Sequence, residues 1–249
     1  MSGDPILSLR GVGKRFGPLR ALDGVDLDVA PRSFHGLIGP NGSGKSTLLR
    51  AIAGEHLPDE GSVSFAGEDI TTAQPARRAR AGLSIKFQIT AVLKSLTVYD
   101  NLLLALQAAG APGLGALLLS RTRRSLHEAV MEQLAAFRLA EHADTVAANL
   151  SHGQQQWLEI AMALAARPRL LLLDEPTGGM SPEERRATGE LLQPIREHCA
   201  LVIVEHDLDF IKEFCDRLTV LDGGKVLDEG TPAEIEGSEK VQAVYTRRA

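Results

Sequence analysis

The sequence predicts an α/β fold interrupted by a helical insertion, and three observations carry that expectation. Val25, Leu27 and Val29, then Val63 and Phe65, then Leu83, Ile85 and Phe87 recur with period two. That is the spacing of strands with one buried face. Residues 90–149 are rich in Leu, Ala, Gln and Glu, a composition that favours helices. Residues 170–173 and 201–204 are continuous apolar runs, which suit parallel strands buried on both faces.

The elements follow in order. Residues 34–38 form a short, mostly apolar run that meets a glycine-rich loop. A helix is expected next, with Leu48, Leu49 and Ile52 on one side and Gly54 placed to end it. Residues 218–221 and Val226-Leu227 read as two strands around a tight Asp222-Gly223-Gly224-Lys225 turn. The polar tail, residues 230–249, reads as helical.

Composition narrows the classes. With 249 residues and 24% charged residues the chain is long enough for a substantial core and ordinary for a globular protein. Its net charge of −5 offers no global basic field for nucleic acid or anionic lipid. Cys199 and Cys215 form no CxxC and read as reduced thiols. Residues 101–120 carry no charge, but Gly110, Pro112, Gly113 and Gly115 interrupt them. They read as a helix, a turn and the start of another helix, not a membrane span. No targeting segment is expected at residues 1–9, and the chain is expected to be soluble, reaching a membrane only through a partner.

Three segments carry chemistry. Gly39-Pro40-Asn41-Gly42-Ser43-Gly44-Lys45-Ser46 matches G-x-x-x-x-G-K-[ST]. Its glycines let backbone N–H groups turn toward phosphate oxygens, and the following helix points its positive end at the same anion. Lys45 is expected to reach the β- and γ-phosphates and the Ser46 hydroxyl to ligate Mg²⁺. The competing reading is a glycine-rich turn with no ligand, and a strand before with a helix after favours the cradle. Second, the run 170–173 ends in Asp174-Glu175-Pro176. A buried parallel strand delivers acidic side chains at its carboxyl end, where open α/β sheets bind ligands. Asp174 fits a Mg²⁺-linked carboxylate, and Glu175 either a general base or an acceptor that orients water. Third, in Leu150-Ser151-His152-Gly153-Gln154-Gln155-Gln156, Ser151 and Gln154 have capping-box spacing. Trp157, Ile160, Ala161 and Leu164 then form one helical face. Taken alone, that segment is equally a well-capped amphipathic helix and nothing more.

The third segment resembles the LSGGQ signature of ATP-binding cassette (ABC) ATPases, and other motifs fall into register around it. Phe16 resembles the aromatic that stacks on adenine, and Gln88 the glutamine between the two lobes. Asp174 and Glu175 resemble the metal-linked aspartate and catalytic glutamate. Gly179-Met180-Ser181-Pro182 sits where the D-loop belongs, and His206 resembles the switch histidine. The resemblance implies a RecA-like P-loop core with an antiparallel β part, formed by residues 1–89 and 156–249. The inserted helical lobe, residues 90–155, would carry the signature. It implies ATP and Mg²⁺ as cofactors, with Glu175, His206 and Gln88 catalytic and Ser46, Gln88 and Asp174 on the metal. Nucleotide contacts would come from Phe16, Gly39, Pro40, Asn41, Gly42, Ser43, Gly44, Lys45, Ser46 and Thr47. Ser151, His152, Gly153 and Gln154 would contact ATP held by a second ABC ATPase subunit, the same chain or a paralogue. Two positions depart from the pattern: His152 replaces the first signature glycine and Ser181 the usual D-loop aspartate.

Residues 178–182, 156–160 and 241–245 are similar to importer ATPases for branched-chain amino acids, urea and short amides. Residues 96–102 are also similar to lipopolysaccharide-exporter ATPases. The implied partners are integral membrane permease subunits and a solute-binding protein, with no nucleic acid, at the cytoplasmic face of the membrane. A non-transport ABC ATPase fits the length poorly. Arg77, Arg78 and Arg80, with residues 121–124, read as solvated charge with local ion pairs. His35, His56, His127, His142 and His198 show no zinc-ligand spacing.

Overall fold

A computed structural model describes residues 4–86, 92–110 and 122–246. Two sheets organise it. The first contains β1 (Leu7–Phe16), β2 (Leu19–Val29), β4 (Glu60–Phe65) and β5 (Glu68–Asp69), antiparallel in the order β2-β1-β4-β5. The second contains β3 (Phe34–Ile38), β6 (Leu83–Lys86), β7 (Leu170–Asp174), β8 (Ala200–Val204), β9 (Arg217–Asp222) and β10 (Lys225–Gly230). Its order is β10-β9-β3-β8-β7-β6, parallel throughout except for the β9–β10 pair. The expected α/β core and antiparallel part are therefore both present.

Period two explains the layers. Leu171, Leu173, Leu201 and Ile203 face one apolar cluster, while Leu170, Leu172, Val202 and Val204 face the other. The second cluster lies under the antiparallel sheet and includes Leu48, Leu49 and Ile52 of α1 (Lys45–Ala53). Alternate side chains on each central strand are thus buried in opposite directions, and each buried Leu contributes about 1.5–3 kcal/mol. β6 departs from simple alternation, because Lys86 is buried beside a half-buried Ile85.

The first cluster draws in the helices. They are α3 (Val98–Ala109), α4 (Thr122–Ala136), α5 (His152–Leu164), α6 (Pro182–Leu192) and α7 (Leu208–Phe214). Thr97 caps α3 by accepting from the Asp100 N–H, and Asn101 is buried with its amide bonded to Leu93 and Thr97. α5 runs without a break across positions 155 and 156. Among the described residues no helix is long and apolar enough to cross a membrane. Of the segment 101–120, α3 is the described part; residues 111–121 lie outside it, as do Phe87 and Gln88.

Gly54 ends α1 at φ 85°, as expected. The β9–β10 hairpin closes through Gly223 and Gly224 at φ 54° and 79°, the left-handed pair of a type I′ turn. The tail is helical in α8 (Pro232–Glu236) and α9 (Glu239–Thr246). Cys199 and Cys215 are buried free thiols, each pushed up to about 12 chiefly by burial.

One expectation is corrected. Arg78, in α2 (Pro75–Arg80), is not solvated: it is fully buried, although Arg77 and Arg80 are exposed. Its guanidinium donates to the carbonyls of Ala51, Ile52, Thr71 and Ala73. Two of these, Ala51 and Ile52, lie in the last turn of α1, so the cation sits on the negative end of that helix. Burial lowers its pKa to about 10.

Candidate functional site

The parallel strands deliver their carboxyl ends to one edge of the sheet. Pairing of Leu37 and Asp174 with Val204 brings the loops after β3, β7 and β8 together, the place where such sheets bind ligands. The glycine-rich loop leaves the wholly buried β3 and enters α1. Gly39 sits at φ 145°, and a Cβ there would stand 2.1 Å from the Leu221 carbonyl oxygen. Gly44 precedes α1 at φ 108° and gives it no side-chain cap, so the first-turn N–H groups face the cleft without one.

Lys45 folds back over this loop. Its Nζ donates to the carbonyls of Gly39 at 2.7 Å and Pro40 at 3.0 Å. Burial lowers its pKa, while the negative charges of Glu175 and Asp174 act in the opposite direction. Ser43 Oγ is buried without a hydrogen-bond partner among the described residues. A cleft of about 530 Å³ opens here, lined by Asn41 to Thr47 with Phe16, Glu175 and His206. Phe16 stands at its lip, 42% exposed, with its ring edge-on to His56 at 5.2 Å.

The acidic pair is arranged unequally. Asp174 is buried at the end of β7, and burial, then Glu175, raises its pKa. The Ser46 hydroxyl hydrogen-bonds to it and acts the other way. Glu175 adopts φ 50°, a left-handed conformation that costs a non-glycine residue about 1–3 kcal/mol and clusters at functional sites. Its N–H donates to the Val204 carbonyl at 2.9 Å. Its Oε1 accepts from His206 Nε2 at 2.7 Å.

Ser46 and Asp174 offer hard oxygen donors in contact with each other. Among the described residues no cluster of three or more His, Cys, Asp or Glu could cage a metal. A hydroxyl and one carboxylate beside an anion cradle fit Mg²⁺, which usually takes few protein ligands and completes its shell with phosphate oxygens and water. Gln88 lies outside the described residues.

The segment 151–154 lies elsewhere and does not line this cleft. Ser151 caps α5 as expected: its Oγ accepts from the Gln154 N–H, and Gln154 Oε1 accepts from the Ser151 N–H. His152 Nε2 meets the Gly178 carbonyl at 2.9 Å, and Gly153 packs against Glu184. The fold thus brings the glycine-rich loop, Phe16, the acidic pair and His206 together, and places 151–154 outside that lining, beside loop 178–181 and the start of α6.

Several lining residues escaped the sequence reading. Leu19, Arg20, Ala21, Gly223 and Gly224 border the cleft. The hairpin tip is bonded to the cradle: Gly224 N–H donates to the Ser43 carbonyl at 2.9 Å, and Asp23 N–H to the Gly224 carbonyl at 2.8 Å. The sequence shows only a turn there. Glu205 is also new. It is buried, its Oε1 accepts from both the N–H and hydroxyl of Thr177, and its Oε2 accepts from the His206 N–H. It fixes the loops after β7 and β8 to each other. The signal was present in Val204-Glu205-His206, but nothing in the sequence marks that carboxylate as buried.

A cleft built from a phosphate-cradle motif and two ordered carboxylates, with a capped signature helix apart from it, defines a nucleotide-hydrolysing cassette. Comparison places that class in a family. The ABC transporter family model matches residues 22–178, and the chain belongs to that family. The chain is 34% identical to the high-affinity branched-chain amino acid transport ATP-binding protein LivG of Escherichia coli (strain K12), covering 98% of this chain and 99% of the relative. It is 36% identical to the ribose import ATP-binding protein RbsA 1 of Burkholderia thailandensis over 98% of this chain, and spans 47% of that longer protein. Among solved structures, the ADP conformation of MJ1267, an ATP-binding cassette of an ABC transporter, matches with a TM-score of 0.88 and 32% identity. That match covers 98% of this chain and 99% of the other. The protein is an ATP-binding, ATP-hydrolysing subunit of the ABC type.

Proposed function

We propose that this chain powers an ABC importer for branched-chain amino acids, urea or similar small polar solutes. The observation that carries the reading is the likeness to LivG along 98% of this chain and 99% of that protein. The membrane subunits and a solute-binding protein would choose the cargo. A second ABC ATPase subunit, the same chain or a paralogue, would complete the motor at the cytoplasmic face of the membrane. In this reading residues 1–89 and 156–249 are the core and 90–155 the helical lobe.

The chain's own residues supply positioning and charge. Adenine stacks on Phe16. The N–H groups of residues 41–47 receive phosphate oxygens, and Lys45 exchanges the Gly39 and Pro40 carbonyls for phosphate. Ser46 and Asp174, with Gln88, would hold Mg²⁺, which supplies charge neutralisation at the β- and γ-phosphate oxygens. Glu175 orients the attacking water and accepts its proton, while His206 holds the carboxylate in place. The Ser151 hydroxyl and the His152 and Gly153 N–H groups, within segment 151–154, would be offered to ATP bound by the partner subunit, while the Ser151 and Gln154 N–H groups stay in the capping box.

The test is affinity capture of the chain from solubilised native membranes, with ATP hydrolysis assayed on the recovered complex. The expected result is integral membrane subunits plus a solute-binding protein whose amino-acid or amide ligand stimulates hydrolysis. Recovery of lipid-handling membrane subunits without a solute-binding protein overturns import in favour of export. Recovery of no membrane subunit overturns transport.

A further inference from the structure

Position 152 holds histidine where the LSGGQ pattern has glycine, and the surroundings are shaped to that ring. His152 is the first residue of α5, behind the Ser151 cap. Its Nε2 lies 2.9 Å from the Gly178 carbonyl oxygen. A carbonyl only accepts, so the ring donates from Nε2. The next residue, Gly179, sits at φ 76°, and a Cβ there would stand 3.2 Å from the same Nε2. The imidazole therefore fills space that a side chain at 179 would contest.

The neighbouring position makes a second contact, with the helix that follows this loop. A Cβ on Gly153 would stand 2.7 Å from Glu184 Oε1, so the backbone there approaches Glu184 too closely to leave room for a side chain. Glu184 in turn accepts from the Ser181 N–H at 3.0 Å and completes the capping box of α6. The start of α5 thus meets the loop through His152 and the start of α6 through Gly153. The loop between β7 and α6 is also held at its other end, where Gly178 N–H donates to the Glu175 carbonyl at 3.2 Å. Arg185 Nε donates to the Met180 carbonyl at 3.1 Å and pairs with Asp207, the neighbour of His206.

We propose that His152 is a positioning residue that latches segment 151–154 to loop 178–181 of the same chain. The N–H donors offered to the partner's nucleotide and the loop that follows Glu175 then move as one block. A glycine at 152 would remove the hydrogen bond that ties the helix start to the loop and leave the Gly153–Glu184 packing in place. The latch rests on the reading that 151–154 serves a nucleotide held by the second subunit, and the experiment separates the two.

Steady-state ATP hydrolysis is measured on the assembled transporter carrying His152→Ala, His152→Gln or Ser151→Arg. ATP binding by the isolated chain in EDTA and its thermal midpoint are measured alongside. His152→Ala is expected to lower kcat about tenfold with KM, ATP affinity and midpoint close to wild type. His152→Gln, which restores an N–H donor of similar reach, is expected to recover kcat to within about twofold. Ser151→Arg is expected to abolish turnover while the isolated chain still binds ATP. If Ser151→Arg abolishes turnover and His152→Ala does not lower it, the latch alone is overturned. A His152→Ala loss that Gln does not restore, or that tracks a fall in midpoint, equally overturns positioning. Wild-type turnover in Ser151→Arg overturns the parent reading of 151–154.

Discussion

Lys86 and Glu159 form an ion pair at 3.3 Å with both side chains almost wholly buried. Lys86 ends β6, two positions before Gln88, and Glu159 lies on α5, the helix that begins at the signature segment. A buried pair that loses one member leaves an uncompensated charge, at a cost of about 3–5 kcal/mol, whereas an apolar replacement of both is often neutral or better. Lys86→Met and Glu159→Leu are therefore each expected to destabilise the chain by about that amount, with the double variant recovering most of it. Urea unfolding of the four proteins measures this. Additive losses would show that the two charges act independently.

Glu175→Gln is expected to keep ATP binding and lower turnover at least about 10²-fold, the scale of general-base catalysis. The strained backbone and the His206 contact point at this one carboxylate. Phosphate release by the purified variant, with calorimetry of ATP binding, tests it; wild-type hydrolysis would remove Glu175 from the mechanism.

Asp174 separates stability from function. Its pKa is raised in the fold by burial and by Glu175, so its ionised form is disfavoured there. A raised carboxylate contributes stability that is present below the ordinary carboxylate range and lost as pH rises through the folded value. At neutral pH, Asp174→Asn is thus expected to raise the thermal midpoint of the nucleotide-free chain while abolishing Mg²⁺-dependent hydrolysis. A midpoint below wild type contradicts the sign.

His35 sets part of the acid limit. It is buried in β3 against the Thr219 hydroxyl at 2.8 Å, and burial lowers its pKa to about 4. A depressed folded value gives stability present above the unfolded value near 6.5 and lost as pH falls toward 4. The contribution at neutral pH is about 3 kcal/mol. His35→Gln is expected to flatten the stability profile between those limits, as followed by urea midpoints across pH.

What was legible in the sequence was chemistry written in contiguous residues. The glycine-rich loop, Asp174-Glu175 and the Ser151–Gln154 capping box each depend on spacings of a few positions, and each has the expected local form. Contacts made across the fold were not legible. Arg78 resembles its charged neighbours in sequence, and only packing on the end of α1 buries it. Glu205 and Gly224 gain their roles from partners 28 and more positions away or from a distant loop. Apolar periodicity located the strands because both faces of the central sheet are covered, but it could not show that Lys86 is buried too.

The β9–β10 hairpin tip touches Ser43 and packs against Ala21, and this makes its length a fixed dimension of the machine. Surface turns are usually the sites where an inserted peptide is tolerated. Here an insertion between Gly223 and Gly224 would act as a wedge under the phosphate loop, and its cost would be read at the nucleotide.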